Sequence, residues 1–367
     1  MSLLEKLKKT STVKSTAVLA ESALFNKKDM VPTDIPVVNI ALSGKVEGGL
    51  TSGLTILAGP SKHFKSNLAL LMASAYLRKY EDAVCLLYDT EFGITPEYLQ
   101  SMNVDPKRCM HTPIEHVEQL KFDITKQLEQ IDKGDKVIIL IDSVGNLASK
   151  KELEDALDGK SVADMSRAKA IKSLFRIITP YLTTRDIPLV AVNHTYKEIG
   201  MFPKDIMSGG SGIYYSANQI LFMGRQQEKD GTEISGYNFM MGVEKSRFVR
   251  EKTRLPLSIS WEGGINKWSG LLDIGLELGW ITKPSVGWFE GTNPNTGEVF
   301  LKKRRAETNS SEYWLPLLKS GFGDAIEKRY AIGSIQSVVE ENVEVVEEDS
   351  TADNDQWSAV SSYRSIR

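Results

Sequence analysis

The chain has 367 residues, 41% of them hydrophobic and 25% charged, enough apolar content to bury one large core with appendages. A formal net charge of -3 supplies no global basic field, so any attraction to a polyanion must come from a local patch, and charge alone neither supports nor excludes nucleic acid. Only two cysteines occur, Cys85 in an apolar run and Cys109 in a polar turn, with no CxxC; this excludes a disulfide framework and fits a reducing cytosol.

In chain order, MSLLEKLKKTS is an amphipathic helix with Leu3, Leu4 and Leu7 among lysines, without the long apolar core of a secretory leader. No run approaches the ~20 apolar residues of a membrane span, and the cytoplasm is the expected compartment. Residues 1–34 read as a small helical arm ending near Pro32. From 35 to 268, short β-branched runs alternate with helices: LTILAG at 54–59, VCLLYD at 84–89, KVIILID at 136–142 and PLVAVNH at 188–194. Near-continuous apolar runs separated by helices predict a parallel sheet covered on both faces, hence an α/β fold.

The expected helices are Ser66–Tyr80, Glu115–Lys133 and Ala163–Thr183, the last burying Ile171, Leu174, Phe175 and Ile178. Past residue 269 the texture changes to a small α+β module, 269–335. SGLLDIGLELG is a helix with Ser269 as N-cap and Gly279 as its stop, WITKPSVGWFE a hairpin, and NSSEYWLPLLKSGFGDAIEKRYAIG two short helices. Residues 336–367 are acid-rich and read as a disordered tail.

The chemistry concentrates at strand ends. AGPSKHFKSN, residues 58–67, lies between a strand and a helix, where backbone N–H groups and the helix dipole face an anion. Gly59, Lys65 and Ser66 fit the phosphate-loop pattern G-x-x-x-x-G-K-[ST], but Phe64 stands where its second glycine belongs. The cradle is then shaped by Ser61, Lys62, His63 and Phe64, continuing through Asn67, with Pro60 giving no N–H. Phe64 is expected to enter the helix at negative φ with its ring turned from the phosphates. Lys65 would meet the β/γ-phosphates of ATP and Ser66 a Mg²⁺ ion, while Asp142 at the end of an apolar strand would hold a Mg²⁺-bound water. Asp89 and Glu91 flank the next strand end; Glu91 is the candidate to orient and deprotonate water, and Asp89 either assists or caps the turn. Asn193 and His194 close the fourth strand as a polar pair able to hydrogen-bond a γ-phosphate.

These strand ends in this order, with IPVVNIALSGKVEGGLTSGLTILAGPSK, LLYDTEFGITPEYL, IDSVGNLASKKE, NHTY and VEKSRFVREK, resemble the RecA-like strand-exchange recombinases, most nearly their bacteriophage UvsX branch. The likeness runs from about residue 10 to 335. It implies a RecA-like ATPase core within 35–268, and that an aromatic at the position of Phe64 is a mark of the branch. It further implies that Glu91 activates water, that His194 senses the γ-phosphate, and that Tyr98 stacks near adenine. Lys245 and Arg247 would reach the γ-phosphate of a neighbouring subunit.

By the same resemblance, 146–167 and 195–217 are DNA-binding loops. Lys197 and Lys204 suit phosphates, the amides of Gly209 and Gly210 allow close approach, and Phe202 or Met201 can wedge between bases; Lys150, Lys151 and Arg167 are weaker candidates. Ala23, Leu24 and Phe25 are the expected oligomerisation element. The run Lys302 to Arg305 beside Trp288 and Trp314 could gather duplex DNA in competition with the acidic tail. The implied function is a DNA-dependent ATPase that forms helical filaments on single-stranded DNA and exchanges strands with homologous duplex in repair and recombination-dependent replication, in a host cytoplasm if phage-encoded. A recombination mediator and a single-strand-binding protein are implied partners. The competing readings are a ring-forming helicase and a filament accessory that binds ATP without turnover.

Overall fold

The computed structural model describes residues 2–13, 15–22, 29–159, 166–198, 205–230, 233–261 and 264–333. Ala23, Leu24, Phe25, Met201, Phe202, Lys204 and the tail 336–367 lie outside the described residues.

The central sheet is built from strands β1 (Gly53–Gly59), β2 (Val84–Asp89), β3 (Cys109–Pro113), β4 (Val137–Asp142), β5 (Pro188–Lys197), β6 (Asp205–Met207), β7 (Gln219–Asp230), β8 (Glu233–Lys245), β9 (Arg254–Ser260) and β10 (Gly264–Ile265). Their order is β10-β9-β8-β7-β1-β5-β4-β2-β3, with β6 against β5. From β7 through β3 neighbouring strands run parallel; β8, β9 and β10 extend the sheet antiparallel. Cys109 thus begins edge strand β3 in register with Cys85, rather than sitting in a turn.

The apolar runs are explained by coverage on both sides. Successive side chains of a strand point to opposite faces. Leu57, Ile138, Leu140, Val190 and Val192 enter one buried cluster, and Leu54, Ile56, Ile139, Ile141, Leu189 and Ala191 the other. The helices are α1 (Leu3–Thr10), α2 (Pro36–Ser43), α3 (Lys65–Lys79), α4 (Pro96–Ser101), α5 (Val117–Gln130), α6 (Lys150–Leu157), α7 (Ser166–Thr184) and α8 (Ser211–Ser216). α2 and α3 pack on the first face; α5 and α7 cover the second, with Ile171, Leu174, Phe175 and Ile178 fully buried. α1 carries a capping box between Ser2 and Glu5 but buries no residue.

Beyond the sheet come α9 (Leu271–Glu277), β11 (Ile281–Ser285), β12 (Trp288–Thr292), β13 (Val299–Arg304), α10 (Ser311–Leu317) and α11 (Gly323–Tyr330). β11, β12 and β13 form a separate antiparallel sheet. The N-cap of α9 is Gly270 at φ 73°, not Ser269. The Ser269 hydroxyl instead accepts from Ser258 N (3.0 Å) and donates to Asn266 O (2.7 Å), tying the helix start to β9. Trp268, Trp280, Trp314 and Phe322 join the same buried cluster as α2 and α3, so Met1–Ile332 is one compact unit. No helix among the described residues is long and apolar enough to cross a membrane.

Candidate nucleotide site and nucleic-acid loops

The turn from β1 to α3 carries the phosphate-loop sequence. Gly59 is required by close approach: a Cβ there would lie 2.8 Å from the Met223 carbonyl of β7. Phe64 is the N-cap of α3 at φ 63° and offers no side-chain cap, so the first amides of the helix have no capping side chain. The expectation of negative φ at Phe64 is therefore corrected, and Lys62 is left-handed as well, at φ 59°. Both residues adopt backbone that glycine would take freely. The Phe64 ring stacks on buried Phe239 of β8 with centroids 5.2 Å apart, while the residue still lines the cavity at the strand ends.

Lys65 is buried, and its Nζ donates to the Pro60 carbonyl at 2.6 Å. Burial lowers its pKa, opposed by the carboxylates of Glu91 and Asp142. Parallel register places Asp89 beside Asp142 and Gly59 beside His194, so the carboxyl ends of β1, β2, β4 and β5 converge. That convergence outside the strand ends is where open parallel sheets bind ligands.

Asp89 caps the turn. Its Oδ1 accepts from Glu91 N (2.9 Å) and Phe92 N (2.8 Å), and Oδ2 lies 3.2 Å from His111 Nε2 on β3. The turn presents Glu91, whose Oε1 accepts from Ser143 Oγ (2.8 Å), Asn146 Nδ2 (3.1 Å) and His194 Nε2 (3.0 Å). Asn193 is buried: its amide donates to Ser208 O at 2.9 Å, bracing the segment that follows β6, and its Oδ1 accepts from His194 N at 2.9 Å.

Asp142 is buried, its pKa raised to about 6 chiefly by desolvation and secondarily by the charges of Glu91 and Asp89, against a stabilising hydrogen bond from Ser66. Its Oδ1 has no hydrogen-bond partner among the described residues. An orphaned carboxylate oxygen beside the Ser66 hydroxyl is a hard-oxygen donor set of the kind Mg²⁺ takes, usually through retained waters. A cavity of about 240 Å³ joins these groups, lined by Ser61 through Asn67, Glu91, Tyr98, Asp142 and His194. The residues present fit a nucleoside triphosphate with its metal. Lys245 and Arg247 do not line that cavity. Lys245 Nζ instead donates to the Tyr214 (2.8 Å) and Tyr215 (3.3 Å) carbonyls of α8.

Residues 146–167 are not all loop: α6 forms behind a Ser149–Glu152 capping box, and Lys150 and Lys151 pair along it with Glu154 (3.6 Å) and Asp155 (3.9 Å). Arg167 has a structural task, its guanidinium donating to the carbonyls of Leu147 (2.5 Å), Val144 (3.2 Å) and Gly145 (2.7 Å) and to Ser208 Oγ (3.1 Å). Lys197 pairs with Asp205 across β5 and β6 at 2.8 Å. Gly209 and Gly210 have φ of 92° and 78°, which only glycine takes without strain, and lead into α8. Lys302 and Arg304 lie over the Trp288 ring, 5.6 and 5.3 Å from its centroid, whereas Trp314 belongs to the core.

Sequence reasoning missed Ser143 and Asn146, the partners of Glu91. Both lie just past Asp142 in IDSVGN, and a polar residue directly after a buried strand acid was the available signal.

Fold and site together define a phosphate-loop nucleotide-binding protein of the α/β class. Residues 2–266 match the family model of the RecA N-terminal domain, and 268–326 that of the C-terminal domain of the bacteriophage T4 recombination and repair protein. Over 350 residues the chain is 52% identical to the recombination and repair protein of Enterobacteria phage T4, covering 93% of this chain and 90% of that protein. It is 26% identical over 273 residues to the RecA protein of Cutibacterium acnes (73% and 75% covered) and 27% over 293 residues to that of Streptomyces ambofaciens (77% and 76%). The chain belongs to the RecA family and is a recombinase of that family.

Proposed function

We propose that this recombinase is a DNA-stimulated, Mg²⁺-dependent ATPase that assembles as an ATP-bound helical filament on single-stranded DNA and exchanges strands with homologous duplex. The observation that carries the reading is the contact between Glu91 and His194, 3.0 Å apart. It joins the candidate base to the strand that continues into the DNA-loop segment.

In this mechanism Lys65 exchanges the Pro60 carbonyl for a phosphate oxygen, and the amides at the start of α3 face the remaining phosphates. Ser66, and Asp142 through a water, would hold Mg²⁺, which would supply charge neutralisation at the phosphate oxygens. Glu91, oriented by Ser143 and Asn146, takes a proton from water as its oxygen bonds to the γ-phosphorus, and the bridging oxygen leaves with its electron pair. His194 exchanges Glu91 for the γ-phosphate, so loading and loss of that phosphate pull on β5 and the segment 195–217 beyond it. Tyr98, half-buried in the cavity wall, faces the base. Lys197, Lys204, Phe202, Gly209 and Gly210 meet the DNA, and base pairing reads the sequence.

Lys245 and Arg247, outside their own cavity, complete a neighbour's site, and Ala23, Leu24 and Phe25 add to the filament contact. A recombination mediator and a single-strand-binding protein are the further partners, in the cytoplasm of the infected host. Three-strand exchange with ATP, read with phosphate release with and without single-stranded DNA, tests this. Joint molecules and stimulated release are expected; closed rings on electron microscopy, or binding without turnover, would overturn it.

A further inference from the structure

The phosphate loop contains two non-glycine residues in left-handed backbone, Lys62 at φ 59° and Phe64 at φ 63°, and no glycine between Gly59 and Lys65. Such conformations persist only where the surroundings hold them. Each of the two is held by a different residue of one cross-strand pair. Arg225 of β7 and Phe239 of β8 are register partners in the antiparallel hairpin, so their side chains share a face. Arg225 Nη1 donates to the Lys62 carbonyl at 3.1 Å, and the Phe239 ring stacks on Phe64 at 5.2 Å with planes 29° apart. The pair is itself braced: the Arg225 guanidinium lies 4.8 Å from the Tyr237 ring centroid, and Tyr237 contacts Phe239 at 5.9 Å. β7 also pairs with β1, the strand that launches the loop, so hairpin and loop share one rigid base.

We propose that Arg225 and Phe239 are positioning residues that clamp the phosphate loop in its binding shape from outside, supplying by contact the conformational bias that a second loop glycine would supply by backbone freedom. Phe64 is then the handle by which the hairpin grips the loop. The role in ATP turnover rests on the nucleotide-site reading above; the clamp itself does not, because its contacts run between the hairpin and the loop and involve no ligand.

The test therefore uses two readouts on the full chain. The first is amide hydrogen exchange across residues 61–67 without nucleotide. The second is KM and kcat for ATP with single-stranded DNA. Arg225 reaches the loop at an exposed contact, so Arg225→Ala avoids the folding risk of a core change, and Arg225→Lys is its conservative rescue. Phe239→Leu is made alone and in the Phe64→Gly background. Arg225→Ala and Phe239→Leu should each speed loop exchange and raise KM for ATP roughly two- to tenfold with kcat less affected, the range of one aromatic or hydrogen-bond contact. Arg225→Lys should restore most of the loss, and Phe239→Leu should cost nothing further once residue 64 is glycine, because the handle is gone. Unchanged loop exchange in Arg225→Ala, or equal penalties for Phe239→Leu in both backgrounds, would overturn the clamp. Faster loop exchange in Arg225→Ala, with a wild-type protein that shows no ATP turnover, would sink the ATPase reading and leave the clamp standing.

Discussion

Phe64 and Lys65 are adjacent but have opposite expected sensitivities. Glycine occupies φ 63° without steric cost, so Phe64→Gly should leave the Kd for ATP within about threefold. Lys65→Ala removes a buried ammonium from the cavity wall and should abolish binding, both variants being measured by fluorescence titration with ATP; the reverse pattern would show that the loop works differently. Glu91→Gln keeps the size of the side chain and one acceptor oxygen for Ser143, Asn146 and His194, but not its basicity. It should bind ATP normally and hydrolyse it about 10²- to 10⁴-fold more slowly in a phosphate-release assay. Asp142 gives a pH dependence. Its folded pKa, about 6, lies above the ordinary 3.8, so between these values the folded protein holds a proton that the unfolded chain has released. Stability of the metal-free protein should therefore fall as pH rises from about 4 to 6, by on the order of 2–3 kcal/mol. Thermal unfolding in chelator at pH 5 and pH 7 checks this: Asp142→Asn should unfold at a higher temperature than wild type at pH 7, with the difference shrinking at pH 5. A pH-independent difference would contradict it.

At the scale of elements, what could be read from the sequence depended on burial. β1, β2, β4 and β5 are covered on both faces and therefore stand out as apolar runs. β3, CMHTP, is an edge strand with half-exposed and exposed residues, and carries no apolar signature. β7, QILFMGRQQEKD, starts with buried Ile220 and Leu221 and is exposed from Gly224 to Gln227, so its pattern changes along one strand. The candidate site followed the same division. Lys65, Glu91, Asp142 and His194 sit at strand ends that the sequence marks; Ser143, Asn146, Arg225 and Phe239 reach the site through three-dimensional contacts that no local spacing encodes. In the proposed DNA-binding segments the structure separates cations the sequence could not. Lys197 has an acidic partner only across β5 and β6, so Lys197→Ala should reduce the salt slope of single-strand binding by about 0.7 if it neutralises one phosphate. Arg167, whose guanidinium donates to three carbonyls and Ser208, braces the protein. Arg167→Ala should weaken binding at every salt concentration without changing the slope. A slope change for Arg167 equal to that for Lys197 would return it to the DNA contacts.

For the whole molecule the decisive question is whether one chain can complete its own site. The cavity gathers Lys65, Glu91, Asp142 and His194, but not Lys245 or Arg247, and the Lys245 ammonium is engaged by carbonyls of α8. If Lys245 acts on a neighbour, the two halves of each catalytic unit lie on different chains, and a head-to-tail assembly repeats that division at every interface. Two variants then have complementary defects. Glu91→Gln cannot hydrolyse in its own cavity but still offers Lys245; Lys245→Ala keeps its own cavity but offers nothing to the next chain. Each alone should be inactive on single-stranded DNA. Mixed in equal amounts, they create an interface where the intact cavity of a Lys245→Ala chain meets the Lys245 of a Glu91→Gln chain. Random assembly makes about a quarter of interfaces of this kind, so ATPase activity should recover toward about a quarter of wild type. Action within one chain allows no such recovery, since neither variant holds both groups. An inactive mixture that still forms filaments of normal length by electron microscopy would refute the shared site, because assembly would be intact while complementation failed.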